Sequence, residues 1–410
     1  MKKIIINGGI PLYGSVAVSG SKNAALPIIF SCILTNGVNE IENLPDIGDV
    51  KIALKLLCNM GATVDHRENT TIIDTRNMSY TVPDIDAVSS IRASTYLIGS
   101  CLSRFGICHI LPFGGCNFAK RPIDMHISAC RSLGARVEGE IILADKLHGG
   151  EISFSKPSVG ATVNAILLSV SAEGDTRLRG CAVEPHIDAL IDFLTACGGD
   201  IRRVGNDIFI TGRRLHGGKT KVIGDMIEAG SYLALGLFTG GEVCVKDCPT
   251  EDMGAFFTSL RGLGAEVLSK ERGVSVCIKN RPRHISVVAE PYPGFPTDLQ
   301  PIIAPLMSKF LGGSITDTVW PSRFGYLKQL SEFGVSSIYG SGRAEIYQSA
   351  VYPCDVEAPD LRGGFACIMC ALAAKGRSSV LKADTVLRGY ERIEEKLCAL
   401  GAEVTIQNIN

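Results

Sequence analysis

A sixfold internal repeat constrains this chain more than any other feature. A helical stretch that ends in Gly-Ala or a near variant, followed by strand-forming residues, recurs at Gly61-Ala62, Gly134-Ala135, Gly198-Gly199, Gly264-Ala265, Gly334-Val335 and Gly401-Ala402. The glycine-to-glycine spacings are 73, 64, 66, 70 and 67 residues. Self-similarity at a near-fixed period is the mark of a repeated supersecondary unit. Each glycine sits where a helix C-cap needs a left-handed residue. About forty residues ahead of each comes a helical segment rich in small residues. These are Ser21-Lys-Asn-Ala-Ala25, Arg92-Ala-Ser-Thr95, Val159-Gly-Ala-Thr-Val163, Glu228-Ala-Gly-Ser231, Thr297-Asp-Leu-Gln300 and Asp360-Leu-Arg-Gly-Gly364. A β-rich stretch follows each, so the unit reads strand, helix, strand, helix, strand, strand, and the class is α/β.

Three units per domain give two domains of about 200 residues, the usual size. The Ile4 to Ile10 segment reads as the first strand of the whole cycle. If it belongs with the last unit, the chain crosses between domains twice, near residues 20 and 225. The expected division is therefore 21–224 against 1–20 plus 225–410. No linker of biased composition marks the crossings.

The 410 residues are 46% apolar, so a large core is possible. A net charge of -1 argues against a general nucleic-acid or membrane-surface role. Aromatic residues are sparse, with one Trp at 320, which disfavours a base-stacking platform. The N-terminal apolar run is too short for a signal peptide, and no window is long and apolar enough to span a bilayer. A cytoplasmic protein with reduced cysteines is expected. Most of the fifteen cysteines, Cys32, Cys58, Cys197 and Cys398 among them, read as small core residues. The lone Cys367-x-x-Cys370 pair lies in an apolar run and reads as packing rather than a metal site.

The polar residues fall in a pattern. Lys22, Arg92, Asp298, Asp360 and Arg362 lie at or near the starts of the small-residue helices. Helix starts present unpaired N–H groups and partial positive charge, so converging starts form an anion site. Equivalent positions carry different chemistry, which suggests one asymmetric ligand shared by the repeats. A second signal is Leu111-Pro-Phe-Gly-Gly-Cys-Asn-Phe-Ala-Lys-Arg-Pro-Ile-Asp-Met-His126. It sets Cys116 on a glycine-rich loop beside Lys120 and Arg121, where cations favour bound anions and the thiolate. His126 reads as structural or as a ligand hydrogen-bonder. P-loop, dinucleotide and nucleophile-elbow motifs are missing, and the seven histidines show no metal spacing. No metal and no cofactor are expected.

These residues resemble the enolpyruvyl transferases over the full length. The likeness is carried by Gly20-Ser-Lys-Asn-Ala-Ala-Leu-Pro27, Ile91-Arg-Ala-Ser94, Gly114-Gly-Cys116, Arg121-Pro-Ile-Asp-Met-His126 and Ser158-Val-Gly-Ala-Thr162. Phe295-Pro-Thr-Asp-Leu-Gln300, Asp360-Leu-Arg362 and Arg388-Gly-Tyr-Glu-Arg-Ile393 continue it. The branch that makes enolpyruvylshikimate phosphate shares the six-unit fold but does not match Ser-Lys-Asn-Ala-Ala-Leu-Pro or the loop cysteine. The resemblance implies a two-domain inside-out α/β barrel closing on substrate in the cleft between domains. It implies transfer of the enolpyruvyl group of phosphoenolpyruvate to the 3-hydroxyl of UDP-N-acetylglucosamine, in peptidoglycan synthesis.

The resemblance also assigns residues. Cys116 matches the general acid at the methylene carbon. Lys22 and Asn23 match phosphoenolpyruvate contacts; Arg121 and Arg388 match cations on its phosphate and carboxylate, with Arg362 a further candidate. Lys22 and Arg388 thus join the catalytic set. Arg92, Arg121, Pro122, Ile123, Asp124, Met125, Lys156, Pro157, Ser158, Val159 and Val319 match the uridine-nucleotide site. Asp298 matches the base that receives the acceptor's proton. The physical needs agree: a donor with about three negative charges needs fixed Arg and Lys. A thiol of pKa ~8.5 is mostly protonated at neutral pH and can act as acid. Its thiolate fraction predicts sensitivity to epoxides.

The chain departs from the family pattern at Phe113, Asn117 to Lys120, His186, Met226, Trp320 to Ser322 and Leu387. Two other readings accordingly stand beside the first. One keeps the chemistry on a different uridine-nucleotide acceptor. The other is a weakly active paralogue that binds nucleotide.

Overall fold

A computed structural model describes residues 1–114 and 122–409. The chain divides into two compact units, one of residues 1–19 with 224–409 and the other of 20–114 with 122–223. Each carries three sheets wrapped around three buried helices.

The repeat seen in the sequence is physical. The six marker glycines all adopt left-handed backbone, with φ between 91° and 99°. An L side chain is strained there, so glycine ends each helix and turns the chain into the next strand. The buried helices are Lys22–Ser31, Leu97–Phe105 and Val159–Ser169 in one unit. In the other they are Met226–Thr239, Gln300–Lys309 and Leu361–Ala373. Val159–Ser169 buries every residue from Ala161 onward, and Met226–Thr239 every residue from Ile227 to Phe238. A helix apolar on all sides belongs inside a core. The helix that follows each sheet entry is amphipathic: Gly48–Asn59 buries Val50, Ala53, Leu54 and Leu57 and turns its other face to solvent.

The sheets share one strand order. A leading strand lies parallel to the second, the last strand pairs antiparallel with the second, and the third closes the edge. In one such sheet Ile285–Ala289 runs parallel to Gly313–Asp317, with Val287 opposite Ile315. Ile285, Val287 and Ala289 face the core, and Ser286 and Val288 face outward, as period-two pleating requires. Five sheets have four strands. The sixth, Ile107–His109, Ile141–Leu143 and Arg136–Glu138, has three among the described residues, with none of them in the leading place.

The N-terminal strand corrects the sequence reading. It spans Lys2–Gly8 and lies between Gly376–Leu381 and Glu403–Asn408, antiparallel to both. It therefore takes the last place in the last repeat rather than the first place in the cycle. Ile4 and Ile6 are fully buried there. The leading place falls to Tyr13–Ala17, parallel to Glu242–Lys246. In the other unit Lys219–Lys221 returns to lead the sheet of Val38–Glu42. The end of the N-terminal segment is pinned: Ser19 N–H donates to Glu228 at 2.7 Å, and Lys396 reaches the same carboxylate at 2.6 Å.

No helix among the described residues is long and apolar enough to cross a membrane.

Candidate active site

In the unit of residues 20–223, Lys22 opens its helix, and Ser21 before it is extended and makes no side-chain cap. Lys22 Nζ pairs with Asp49 Oδ2 at 2.7 Å, and Asp49 is buried at the start of Gly48–Asn59. Asn23 is half-buried beside it. Arg92 opens the short 3-10 turn Arg92–Tyr96, again without a side-chain cap. Tyr96 of that turn meets Phe30 of the Lys22 helix edge-on, with ring centroids 6.2 Å apart.

His126 joins two further segments. It is buried on Asp124–Ser132, and its ring lies against the start of Val159–Ser169. A Cβ at Gly160 would come within 3.2 Å of the ring, so glycine admits the imidazole. Ser158 caps that helix, its Oγ accepting from Ala161 N–H at 3.4 Å. Asp124 to His126 and Ser158 to Gly160 are thus neighbours, and the Arg92 charge acts on His126. Met125 and Ile123 are half-buried, whereas Pro122, Asp124, Lys156 and Pro157 are exposed and Val159 is half-buried. Cys116 and Arg121 lie outside the described residues, as do Asn117 to Lys120.

Burial and the Arg92 charge hold His126 down to about 4 from 6.5, with Asp124 pulling the other way. A depressed folded value gives stability that is present above pH 6.5 and is lost as pH falls toward 4. At about 1.4 kcal/mol per unit, this site costs the protein about 2 kcal/mol between pH 6.5 and 5. His126→Gln should lack that slope in chemical denaturation at the two pH values. An equal loss in both proteins would contradict the assignment.

In the other unit three aspartates stand at three helix starts, and they behave differently. Asp225 accepts from Ile227 and Glu228 N–H, and Asp360 accepts from Arg362 and Gly363 N–H. Both are ordinary N-caps. Asp298 caps nothing. It sits in the 3-10 turn Thr297–Leu299, and its carboxylate meets Arg323 Nη1 at 2.7 Å and Arg362 Nε at 3.3 Å. Both arginines are almost wholly buried, while Asp298 keeps 30% of its side chain exposed. Burial pushes the Asp298 carboxyl up, but the two guanidinium groups outweigh it and hold the acid well below the usual carboxylate range.

The surroundings fix these groups. Arg323 Nη1 also donates to Thr297 Oγ1 at 3.2 Å, and Thr297 donates to Asp317 at 2.6 Å. Asp317 accepts from the N–H groups of Val319 and Trp320, at 3.0 and 2.7 Å. The Trp320 to Ser322 departure is therefore a turn built on Asp317, and it carries half-buried Val319. Arg362 lies 5.1 Å from the centroid of the Tyr390 ring, which stacks on Phe365 and whose hydroxyl is 2.8 Å from Ser231. Arg388 is half-buried at the end of Asp384–Leu387. The structure thus gathers Asp298 and Arg362 directly. Asp49, Arg323, Tyr390 and the Thr297–Asp317 pair were not assigned from sequence, because their partners are remote in the chain.

Of the other departures, Met226 begins the helix that Asp225 caps, and Phe113 and Leu387 pack against the cores. His186 is buried in Pro185–Ala196. Cys367 and Cys370 are fully buried, as packing residues are. Among the described residues no cluster of His, Cys, Asp and Glu is arranged to hold a metal.

Buried helices inside sheets of one repeated strand order are the fold of the enolpyruvyl transferases. The chain belongs to the EPSP synthase (3-phosphoshikimate 1-carboxyvinyltransferase) family, whose sequence profile matches residues 6–397. Among curated relatives, the UDP-N-acetylglucosamine 1-carboxyvinyltransferase of Halothermothrix orenii is 37% identical over 98% of this chain and 99% of its own. UDP-N-acetylglucosamine 1-carboxyvinyltransferase 2 of Clostridium acetobutylicum is 37% identical over 100% of both chains. The fold matches the enolpyruvyl transferase NikO from Streptomyces tendae with a TM-score of 0.90 at 22% identity, covering 100% of this chain and 99% of that one. It matches EPSP synthase from Acinetobacter baumannii at 0.73 and 17% identity, over 100% of both.

Proposed function

We propose that this protein transfers the enolpyruvyl group of phosphoenolpyruvate to the 3-hydroxyl of UDP-N-acetylglucosamine and releases phosphate, the first committed step of peptidoglycan synthesis. The observation that carries this reading is the end-to-end likeness to relatives bearing that activity in their names, at 37–38% identity. In this reading Cys116 protonates the methylene carbon and Asp298 takes the hydroxyl proton. Lys22, Asn23, Arg121, Arg362 and Arg388 hold the donor. Arg92, Arg121, Pro122, Ile123, Asp124, Met125, Lys156, Pro157, Ser158, Val159 and Val319 hold the nucleotide. Charged substrates of this kind suit a cytoplasmic location, and no metal or cofactor is proposed. An epoxide of the fosfomycin type is expected to alkylate Cys116.

One observation favours a second reading, in which another uridine nucleotide is the acceptor. The Trp320 to Ser322 departure falls on the Asp317-built turn that carries Val319. Acceptor competition separates the two. UDP-N-acetylglucosamine should have the highest kcat/KM among uridine nucleotides at saturating phosphoenolpyruvate. A tenfold or greater preference for another acceptor would replace the first reading with the second. Nucleotide binding without phosphate release for any acceptor would leave the weakly active paralogue.

A further inference from the structure

Two buried arginines converge on one carboxylate, and the arrangement is not a cap, a turn or a surface pair. Asp298 Oδ1 carries Arg323 and Asp298 Oδ2 carries Arg362, so each oxygen of the base already holds a charged donor. A carboxylate in that state is a poor proton acceptor. The arginines are fixed and the aspartate is the more exposed member. Asp298 ties down no helix N–H, unlike Asp225 and Asp360, so it can leave its place without uncapping a helix. Among the described residues Arg362 Nη1 is buried without a hydrogen-bond partner. Such a buried, unmet guanidinium N–H is costly unless something fills it.

Among the described residues, charged and titratable groups from several elements act on this centre. Arg323 comes from the turn after Gly313–Asp317, and Arg362 from Leu361–Ala373. Asp360 and Tyr326 act on Arg323, and Tyr390 and Asp225 act on Arg362. Thr297 and Asp317 hold the far side of Arg323.

We propose that Asp298 is a built-in counter-ion that occupies the donor's anion seat in the unliganded protein, and that the donor's carboxylate displaces it from Arg323 and Arg362 and so frees it to act as the base. This rests on the donor and base roles proposed above. It makes the base available only when the donor is seated, and it makes Arg323 a donor-binding residue. Two charges that compete for the same cations are reciprocally linked, so removing the aspartate charge must strengthen binding of the anion.

The test is calorimetric titration of phosphoenolpyruvate into the full chain and into Asp298→Asn. The variant should bind the donor roughly five- to a hundredfold more tightly, the usual span of such coupling. Pyruvate, which offers the carboxylate alone, should gain likewise, and inorganic phosphate should not. The variant should melt below the wild type without ligand and gain more in Tm on adding phosphoenolpyruvate. If Asp298→Asn does not fold, Asp298→Ser is measured in its place. Unchanged or weaker donor affinity overturns the proposal, and a gain for phosphate but not pyruvate overturns the carboxylate assignment. These readouts need no turnover. A wild-type protein inactive on UDP-N-acetylglucosamine would remove the proposed function and leave the competition itself to be decided by binding.

Discussion

Asp298→Ala is expected to lower kcat by roughly 10²- to 10⁴-fold, the usual worth of a positioned general base. The acceptor hydroxyl cannot attack without losing its proton, and Asp298 is the carboxylate proposed to take it. The same substitution strands Arg323 and Arg362 without their shared partner. Breaking a buried ion pair costs roughly 3–5 kcal/mol, and less where one member keeps contact with water. Asp298 keeps 30% exposure, so a folded, less stable variant is expected. Its affinity for phosphoenolpyruvate should not fall in step with kcat, because the arginines remain to receive the anion. Steady-state kinetics with a direct binding measurement separates the two effects. An unaltered kcat would remove Asp298 as the base.

Cys116→Ser is expected to lower turnover by a similar factor of roughly 10²–10⁴ while leaving nucleotide affinity nearly unchanged. The thiol is proposed to deliver a proton to carbon, a transfer that needs an acid held against the methylene group. A serine hydroxyl is a far weaker acid than a thiol of pKa ~8.5. The nucleotide contacts proposed at Arg92, Asp124 and Ser158 need no thiol. Alkylation by an epoxide should disappear in the same variant. Peptide mapping is required to read that result, because Cys58 and Cys398 are exposed rather than the core residues expected from sequence, and can react as well. Wild-type turnover in Cys116→Ser would end the acid role.

The repeat was legible because its marker is a backbone requirement. A helix end in left-handed conformation calls for glycine whatever the tertiary context, and all six positions show it. The place of the N-terminal strand was not legible. Lys2–Gly8 and Tyr13–Ala17 are both short strands, and their partners lie more than 200 residues away in sequence. Local pattern cannot rank pairings of that kind. That one sheet has three strands among the described residues was equally hidden, since the helix and glycine markers are intact in that repeat.

The site divides the same way. Helix starts were readable from capping chemistry and small residues, so Lys22, Arg92, Asp298, Asp360 and Arg362 were singled out. What each does was not readable. Asp225, Asp298 and Asp360 look alike in sequence, yet two cap their helices and the third holds two arginines. The difference is made by Arg323, 25 residues from Asp298, and Arg362, 64 residues from it. The Lys22–Asp49 pair likewise joins two helices whose approach only the fold decides.

The central claim is tested most directly by phosphate release from purified protein given phosphoenolpyruvate, with and without UDP-N-acetylglucosamine. The account predicts release that requires UDP-N-acetylglucosamine and stops when Cys116 is alkylated. Release indifferent to the nucleotide, or none in its presence, would contradict it.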